Sequence, residues 1–349
     1  MSIHARSGSA RRITIYLLIA LILAMLIGWQ AGAFKPRPKV ALVTASTGPY
    51  WDAIVNGAQD AAARYDLNLS VVRPKADEPS QTEAIRALLG KGYDGIAISP
   101  NDPARQAAAI AEVGQQTHLV TYDSDCQVAG RLYFVGTANY DAGRNVGELI
   151  RHAVPDGGEV IITIGSLEKE NGQRRRQGVI DELLERTVEP NRPMDPVDPP
   201  LQGSKFKIVA TVVDGIDPGK AASMIAGALK KHPNVKAVAA LFAYSTPATL
   251  VALKESGQLG KVQVVGFDTN DETLAGIESG HVHATMMQSP HAIGYEAIRV
   301  LADAARGDKQ NLPMFQSFYL ACEPVSKANL DTVRQELAKK KPATTQPAA

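Results

Sequence analysis

Residues 39–65 read KVALVTASTGPYWDAIVNGAQDAAARY, and this stretch decides the fold class. Val40 to Thr44 is a short aliphatic and β-branched run of the kind that forms a buried strand. Gly48-Pro49 then breaks the run. From Asp52 to Tyr65 the apolar positions Ile54, Ala58 and Ala61 recur at helical spacing. The same strand-then-helix unit repeats along the chain. Strands are predicted at 69–72, 95–99, 119–122, 160–164, 208–213, 237–241, 262–266 and 284–288. Helices are predicted at 80–89, from Pro103 onward, and at 140–153, 174–186, 218–231, 246–256 and 291–305. Ser80 and Glu83 have capping-box spacing at the start of the second helix. Strands alternating with helices of this length imply parallel sheets with helices on both faces. About ten strands are more than one sheet usually holds, so the reading is an α/β chain with two sheets.

The length of 349 residues suits roughly two domains of about 100–200 residues each. Apolar residues make up 45%, enough for sizeable cores. The formal net charge is +1. The first 34 residues hold Arg6, Arg11 and Arg12 and no acid; without them, 34 basic residues face 36 acidic ones. No basic excess remains to hold a phosphate backbone, so no nucleic-acid partner is expected. Arg11-Arg12 precede an apolar run from Ile13 to Trp29, with small residues at 30–33. A basic flank before such a run reads as a signal peptide or an N-terminal membrane anchor, assigned to residues 1–34. Either one places the remainder outside the cytoplasm. Export would permit a disulfide, but spacing leaves open whether Cys126 and Cys322 pair. Residues 189–203 carry five prolines and are expected to be an extended surface loop. The basic, then Pro/Thr/Ala-rich tail from Lys339 is expected to be disordered.

In open parallel α/β sheets, ligands sit beyond the carboxyl ends of the strands. Thr44 ends the first strand and is followed by Tyr50 and Trp51. Later strands run into Ser99-Pro-Asn101, Tyr122-Asp123, Phe267-Asp268 and Gln288. Amides, hydroxyls, carboxylates and two aromatic rings therefore converge on one edge. That set suits a neutral polyol. A sugar hydroxyl both donates and accepts, a carboxylate can accept from two hydroxyls, and an aromatic ring stacks on the apolar face of the sugar. Asp also caps helices, so either role fits one of these aspartates alone; two at strand ends in one chain favour ligand contact. Trp51 also fits ordinary core packing. Arg174-Arg175-Arg176 are spaced about 100° apart on a helix, so one can face the edge while the others are solvated.

These motifs resemble those of type I periplasmic sugar-binding proteins, with the ribose-binding branch the nearest comparison. The resemblance rests on 46–51 (STGPYW), 56–59 (NGAQ), 95–100 (GIAISP), 121–125 (TYDSD), 135–139 (VGTAN) with Gly143, Asn171 and Arg175 with Gly178, 265–268 (VGFD) and 284–288 (ATMMQ). It covers about Lys39 to Cys322. It implies two Rossmann-like lobes with parallel sheets, joined by a three-strand hinge. Residues 38–137 and 289–318 would form the N-terminal lobe, and 138–288 and 319–330 the C-terminal lobe, with 331–349 a tail. It implies sugar contacts by Thr44, Tyr50, Trp51, Asp123, Arg175, Asp268 and Gln288. Asn171, Tyr244 and Ser245 fall near contact positions, and Ser99 joins them from the strand-end reading. It also implies a monomer that takes a monosaccharide and delivers it to an ABC transporter permease. Ser99 and Ser124 stand where the ribose-binding branch carries Asn and Arg, Ser245 replaces an Asn, and Ile216 sits near an aromatic wall. The pocket is thus short of ribose-type partners.

No catalytic residues, metal site or cofactor are expected. The chain holds no phosphate-loop or GxSxG motif and no GxGxxG that opens a helix after a strand, and the cysteines lack CxxC spacing. His281 and His283 have no third ligand nearby in sequence. Asp123 with Asp268 could serve a glycosidase, but the order of motifs points to binding. Other readings weighed are a membrane-anchored sugar sensor signalling to a kinase or chemoreceptor and the ligand domain of a repressor. The apolar N-terminus, with no helix-turn-helix, disfavours the repressor.

Overall fold

The computed structural model describes residues 14–23, 36–198, 200–308 and 315–340. The chain divides into two units, residues 1–38 and 39–349. In the first unit, 14–23 is helical with exposed side chains. Among the described residues, no helix is long and apolar enough to cross a membrane. The expected run from Ile13 to Trp29 extends outside the described residues at both ends, and the small residues at 30–33 lie wholly outside them.

The second unit alternates as read. Its first part contains β1 (Lys39–Val43), α1 (Pro49–Arg64), β2 (Asn68–Val72), α2 (Glu78–Arg86), β3 (Gly95–Ile98), α3 (Pro103–Gln116), β4 (His118–Tyr122) and β5 (Arg131–Thr137). The next part contains α4 (Asn139–Ala153), β6 (Gly158–Ile164), α5 (Glu170–Leu183), β7 (Leu201–Gln202), β8 (Phe206–Val213), α6 (Pro218–Lys231), β9 (Val235–Ala240) and α7 (Ser245–Glu255). The chain continues through β10 (Gln263–Phe267), α8 (Asp271–Glu278), β11 (Ala284–Met287), α9 (Pro290–Arg306), β12 (Ser317–Leu320), β13 (Glu323–Ser326) and α10 (Leu330–Lys340). Asp77, not Ser80, caps α2: its side chain accepts from the Ser80 N–H at 2.8 Å, so the helix starts a turn earlier than the capping-box spacing suggested.

Two sheets result, in the orders β12-β5-β4-β3-β1-β2 and β13-β11-β10-β9-β6-β8-β7. The first is parallel throughout. In the second, only the two edge strands, β13 and β7, run antiparallel. Each sheet has an apolar layer on both faces. The chain visits the sheets alternately rather than in succession. It crosses after β5, after β11 and between β12 and β13. Tyr319 and Leu320 pair with Gly136 and Thr137, so the last crossing falls at 321–322, two residues beyond the expected boundary. Helix α10 buries Leu330 and Val333 in the second core, so 331–338 is packed structure where the sequence suggested a tail. Residues 341–349 lie outside the described residues.

Two helix pairs fix the strand ends. Where α1 meets α9, a Cβ on Gly57 would lie 1.9 Å from the His291 carbonyl oxygen, and one on Gly294 would lie 1.9 Å from that of Ile54. Where α4 meets α5, a Cβ on Gly143 would lie 2.1 Å from the Arg175 carbonyl oxygen, and one on Gly178 would lie 2.1 Å from that of Tyr140. Only glycine allows backbones this close.

The Pro-rich loop is tied down by Arg176, which is fully buried rather than solvated. Its guanidinium donates to the backbone carbonyls of Asp195 (2.7 Å) and Pro196 (2.9 Å) and to Thr211 Oγ1 (3.0 Å). Asp195 is held in turn by Gln177 and Arg186.

Candidate ligand-binding cavity

In the first sheet, β2 and β3 lie on opposite sides of β1; in the second, β8 and β9 lie on opposite sides of β6. These reversals of strand order leave a crevice beyond the carboxyl ends of the strands. A cavity of about 450 Å3 opens there, lined by residues from both sheets. Its size is in the range of small-molecule sites.

Asp123 follows β4 and Asp268 follows β10, and both have left-handed backbones (φ 60° and 65°). Each backbone N–H still donates to the neighbouring strand, Asp123 to Val135 and Asp268 to Met286. The left-handed turn costs a non-glycine residue roughly 1–2 kcal/mol. Asp tolerates it better than most residues, and such strain gathers at functional sites. Neither side chain caps a helix. Asp123 Oδ1 accepts from Tyr50 Oη at 2.8 Å; its Oδ2 accepts from Ser99 Oγ at 2.9 Å and Asn171 Nδ2 at 3.4 Å. Asp268 Oδ1 accepts from Gln288 Nε2 at 2.9 Å.

Arg175 reaches the cavity from α5. Its Nε donates to Asn139 Oδ1 (2.9 Å), Nη1 to the Leu241 carbonyl (3.1 Å) and Nη2 to Gln288 Oε1 (2.9 Å). The guanidinium also lies 4.0 Å from the Phe267 ring centroid. Gln288 therefore links Arg175 to Asp268, and Thr137 Oγ1 donates to the same Gln288 oxygen across the two sheets. Burial pushes the Asp268 carboxyl up to about 6, against the lowering effects of Arg175 and the Gln288 hydrogen bond. Burial, followed by Asp123, holds the Tyr50 hydroxyl well above its usual range.

Of the residues singled out in the sequence, Tyr50, Trp51 and Asp123 line the cavity from the first sheet. Asn171, Arg175, Tyr244, Asp268 and Gln288 line it from the second. Thr44, Ser99 and Ser245 are fully buried but are not part of the lining. Ser99 acts through Asp123, whose carboxylate it supports from behind. Thr44 Oγ1 and Ser245 Oγ have no hydrogen-bond partner among the described residues. Tyr244 donates to Asp214 Oδ1 at 2.6 Å, and Ile216 stands in the wall.

The lining also includes Asn101, Lys169, Phe242 and Asn270, which were not singled out as contacts. Phe242 lies two residues past the end of β9, so the strand-end rule extended by two residues would have found it. Lys169 carries no such signal, because a lysine between two glutamates reads as solvated. The two cysteines are free; burial raises the Cys126 thiol to about 11 and the Cys322 thiol to about 12. Among the described residues, no group of three His, Cys, Asp or Glu is placed to hold a metal.

The model for the periplasmic binding protein domain family matches residues 40–309. The chain is 25% identical over 291 residues to the D-allose-binding periplasmic protein of Escherichia coli, covering 80% of this chain and 88% of that one. It is 24% identical over 281 residues to the ribose import binding protein RbsB of Salmonella typhimurium, covering 78% and 86%. A similar solved structure is an ABC transporter solute-binding protein from Burkholderia graminis in complex with D-arabinose. The two are 26% identical with a TM-score of 0.75, covering 84% of this chain and 96% of that one. Another is GanP, a glucose-galactose binding protein from Geobacillus stearothermophilus, 25% identical with a TM-score of 0.75, covering 85% and 99%. These similar proteins are binding proteins rather than enzymes.

Proposed function

The chain belongs to the periplasmic binding protein domain family, and from that premise we propose that it is an extracytoplasmic protein that binds a monosaccharide and delivers it to an ABC importer. One observation carries the reading. The cavity is lined by two cations, Lys169 and Arg175, and two carboxylates, Asp123 and Asp268. Their hydrogen bonds go to neutral groups, and among the described residues none of the four is ion-paired to another charged residue. The charges cancel, which suits a neutral ligand whose hydroxyls accept from the cations and donate to the carboxylates. Trp51 and Phe242 add aromatic surface from either side.

Residues 39–137 with 290–320 would move as one lobe and 139–287 with 323–340 as the other, hinged at the three crossings. Sugar bridging the lobes shifts the population toward the closed form, whose composite surface meets the permease. The protein acts as a monomer, and residues 1–34 serve as the signal peptide or anchor. The importer-related names among similar proteins do not favour the sensor reading.

A melting screen of the full chain against D-allose, D-ribose, D-arabinose, D-glucose and D-galactose tests this. At least one sugar is expected to raise the midpoint in proportion to the logarithm of its concentration. Asp268→Ala should weaken that sugar by about tenfold or more in calorimetry, through the loss of charge-assisted hydroxyl bonds, while still melting cooperatively. A flat midpoint with every sugar at millimolar concentration would refute the reading.

A further inference from the structure

Lys169 precedes α5 at the N-cap position, where Ser, Thr, Asp or Asn usually sits and where lysine offers no acceptor. Its side chain serves elsewhere. It is 3% exposed, lines the cavity and leaves its own sheet to reach the other. Nζ donates to the Pro100 carbonyl at 3.1 Å and to Asn101 Oδ1 at 3.5 Å, both at the end of β3, and lies 5.9 Å from the Trp51 ring centroid. A buried ammonium is costly unless its charge is answered. These bonds use two of its three N–H groups, both on neutral oxygens.

The charged groups that act on it are Asp123, which favours the ammonium, and Arg175, which opposes it. Asn171, on the first turn of α5, also lines the cavity, and its buried Oδ1 has no partner among the described residues. The corner between Lys169, Asp123 and Asn171 thus combines a spare charged donor with acceptors. A group that accepts from the ammonium and donates to an oxygen satisfies it, and a hydroxyl does both. A sugar carboxylate would answer the lysine but bring a second negative charge toward Asp123.

We infer that Lys169 is a ligand-contacting, specificity-determining residue that reads one sugar hydroxyl together with Asp123 and Asn171. This rests on the sugar-binding reading of the cavity. Burial lowers the Lys169 ammonium to about 8, so the wild-type protein carries its own reporter. Loss of the proton removes a charged donor, so affinity falls as pH rises through about 8. At the other end, affinity falls as pH drops through about 6, where Asp268, acted on by Arg175, Gln288 and Asp123, loses its charge.

The test is calorimetry of the full chain with the sugar that gives the largest melting shift, from about pH 5 to about pH 9.5. A bell-shaped profile is expected. Lys169→Met should weaken binding about tenfold at neutral pH and abolish the alkaline limb while keeping the acid limb. Among monodeoxy analogues of that sugar, one should bind the wild type about tenfold more weakly than its parent yet bind Lys169→Met as well as the parent does. A purely structural lysine would not single out one hydroxyl. Wild-type affinity flat through pH 8, or a variant that keeps both its affinity and the alkaline limb, would overturn the inference and leave the sugar site standing. If no sugar binds the wild type, both readings fall.

Discussion

Gly57 and Gly294 let α1 and α9 touch backbone to backbone beside the first sheet; Gly143 and Gly178 do the same for α4 and α5 beside the second. The packing device is shared, but the chemistry it presents is not. The first sheet offers Tyr50, Trp51 and Asp123, a carboxylate held by hydroxyl and amide donors. The second offers both cations along with Asp268. The crossings place the side chains, and the residues one turn away decide what they bind. A single cation from either crossing would leave the cavity negatively charged.

This contrast can be broken or sharpened by substitution. Arg175→Met should have the largest effect, weakening sugar binding about a hundredfold or more in calorimetry. It removes several charge-assisted donors and leaves Asp268 buried without the cation that offsets its burial. A loss under tenfold would mean that the second sheet does not carry the electrostatic share assigned to it. Next come the crossings themselves. Gly178→Ala and Gly57→Ala each drive a methyl into a backbone carbonyl, and each should cost about 1–3 kcal/mol in chemical denaturation. If only one is costly, the two crossings are not equivalent. Tyr50→Phe should have the smallest effect, weakening binding about fivefold or less. One hydrogen bond from a neutral hydroxyl to Asp123 is lost while those from Ser99 and Asn171 remain.

The alternation of strands and helices was legible because buried parallel strands read as uninterrupted aliphatic runs, as at 40–44 and 160–164. Strand β12 was missed because it is a short edge strand with Phe318 and Tyr319 exposed; β5 opens on Arg131 and ends near Gly136, which blurs its pattern. Asp123 and Asp268 were legible because a strand end is a definable place. Thr44 and Ser99 show the limit of that rule: position at the end of a strand does not say whether a side chain faces the cavity or the layer behind it. Arg175 and Arg176 are neighbours with buried guanidiniums in unrelated places. Burial of Arg176 depends on carbonyls near 195, which local sequence does not bring to it. Lys169 was invisible for the same reason, because its partners at 100 and 101 belong to the other sheet.

Trp51 sits in the cavity wall, and Trp29 is the only other tryptophan in the chain. In a full-length Trp29→Phe protein, emission therefore reports on the cavity alone. Titration with the sugar that raises the melting midpoint most should change that emission saturably, and adding Asp268→Ala should move the half-saturation point about tenfold or more toward weaker binding. A sugar that raises the midpoint while Trp51 emission stays constant would place binding somewhere other than between the two sheets.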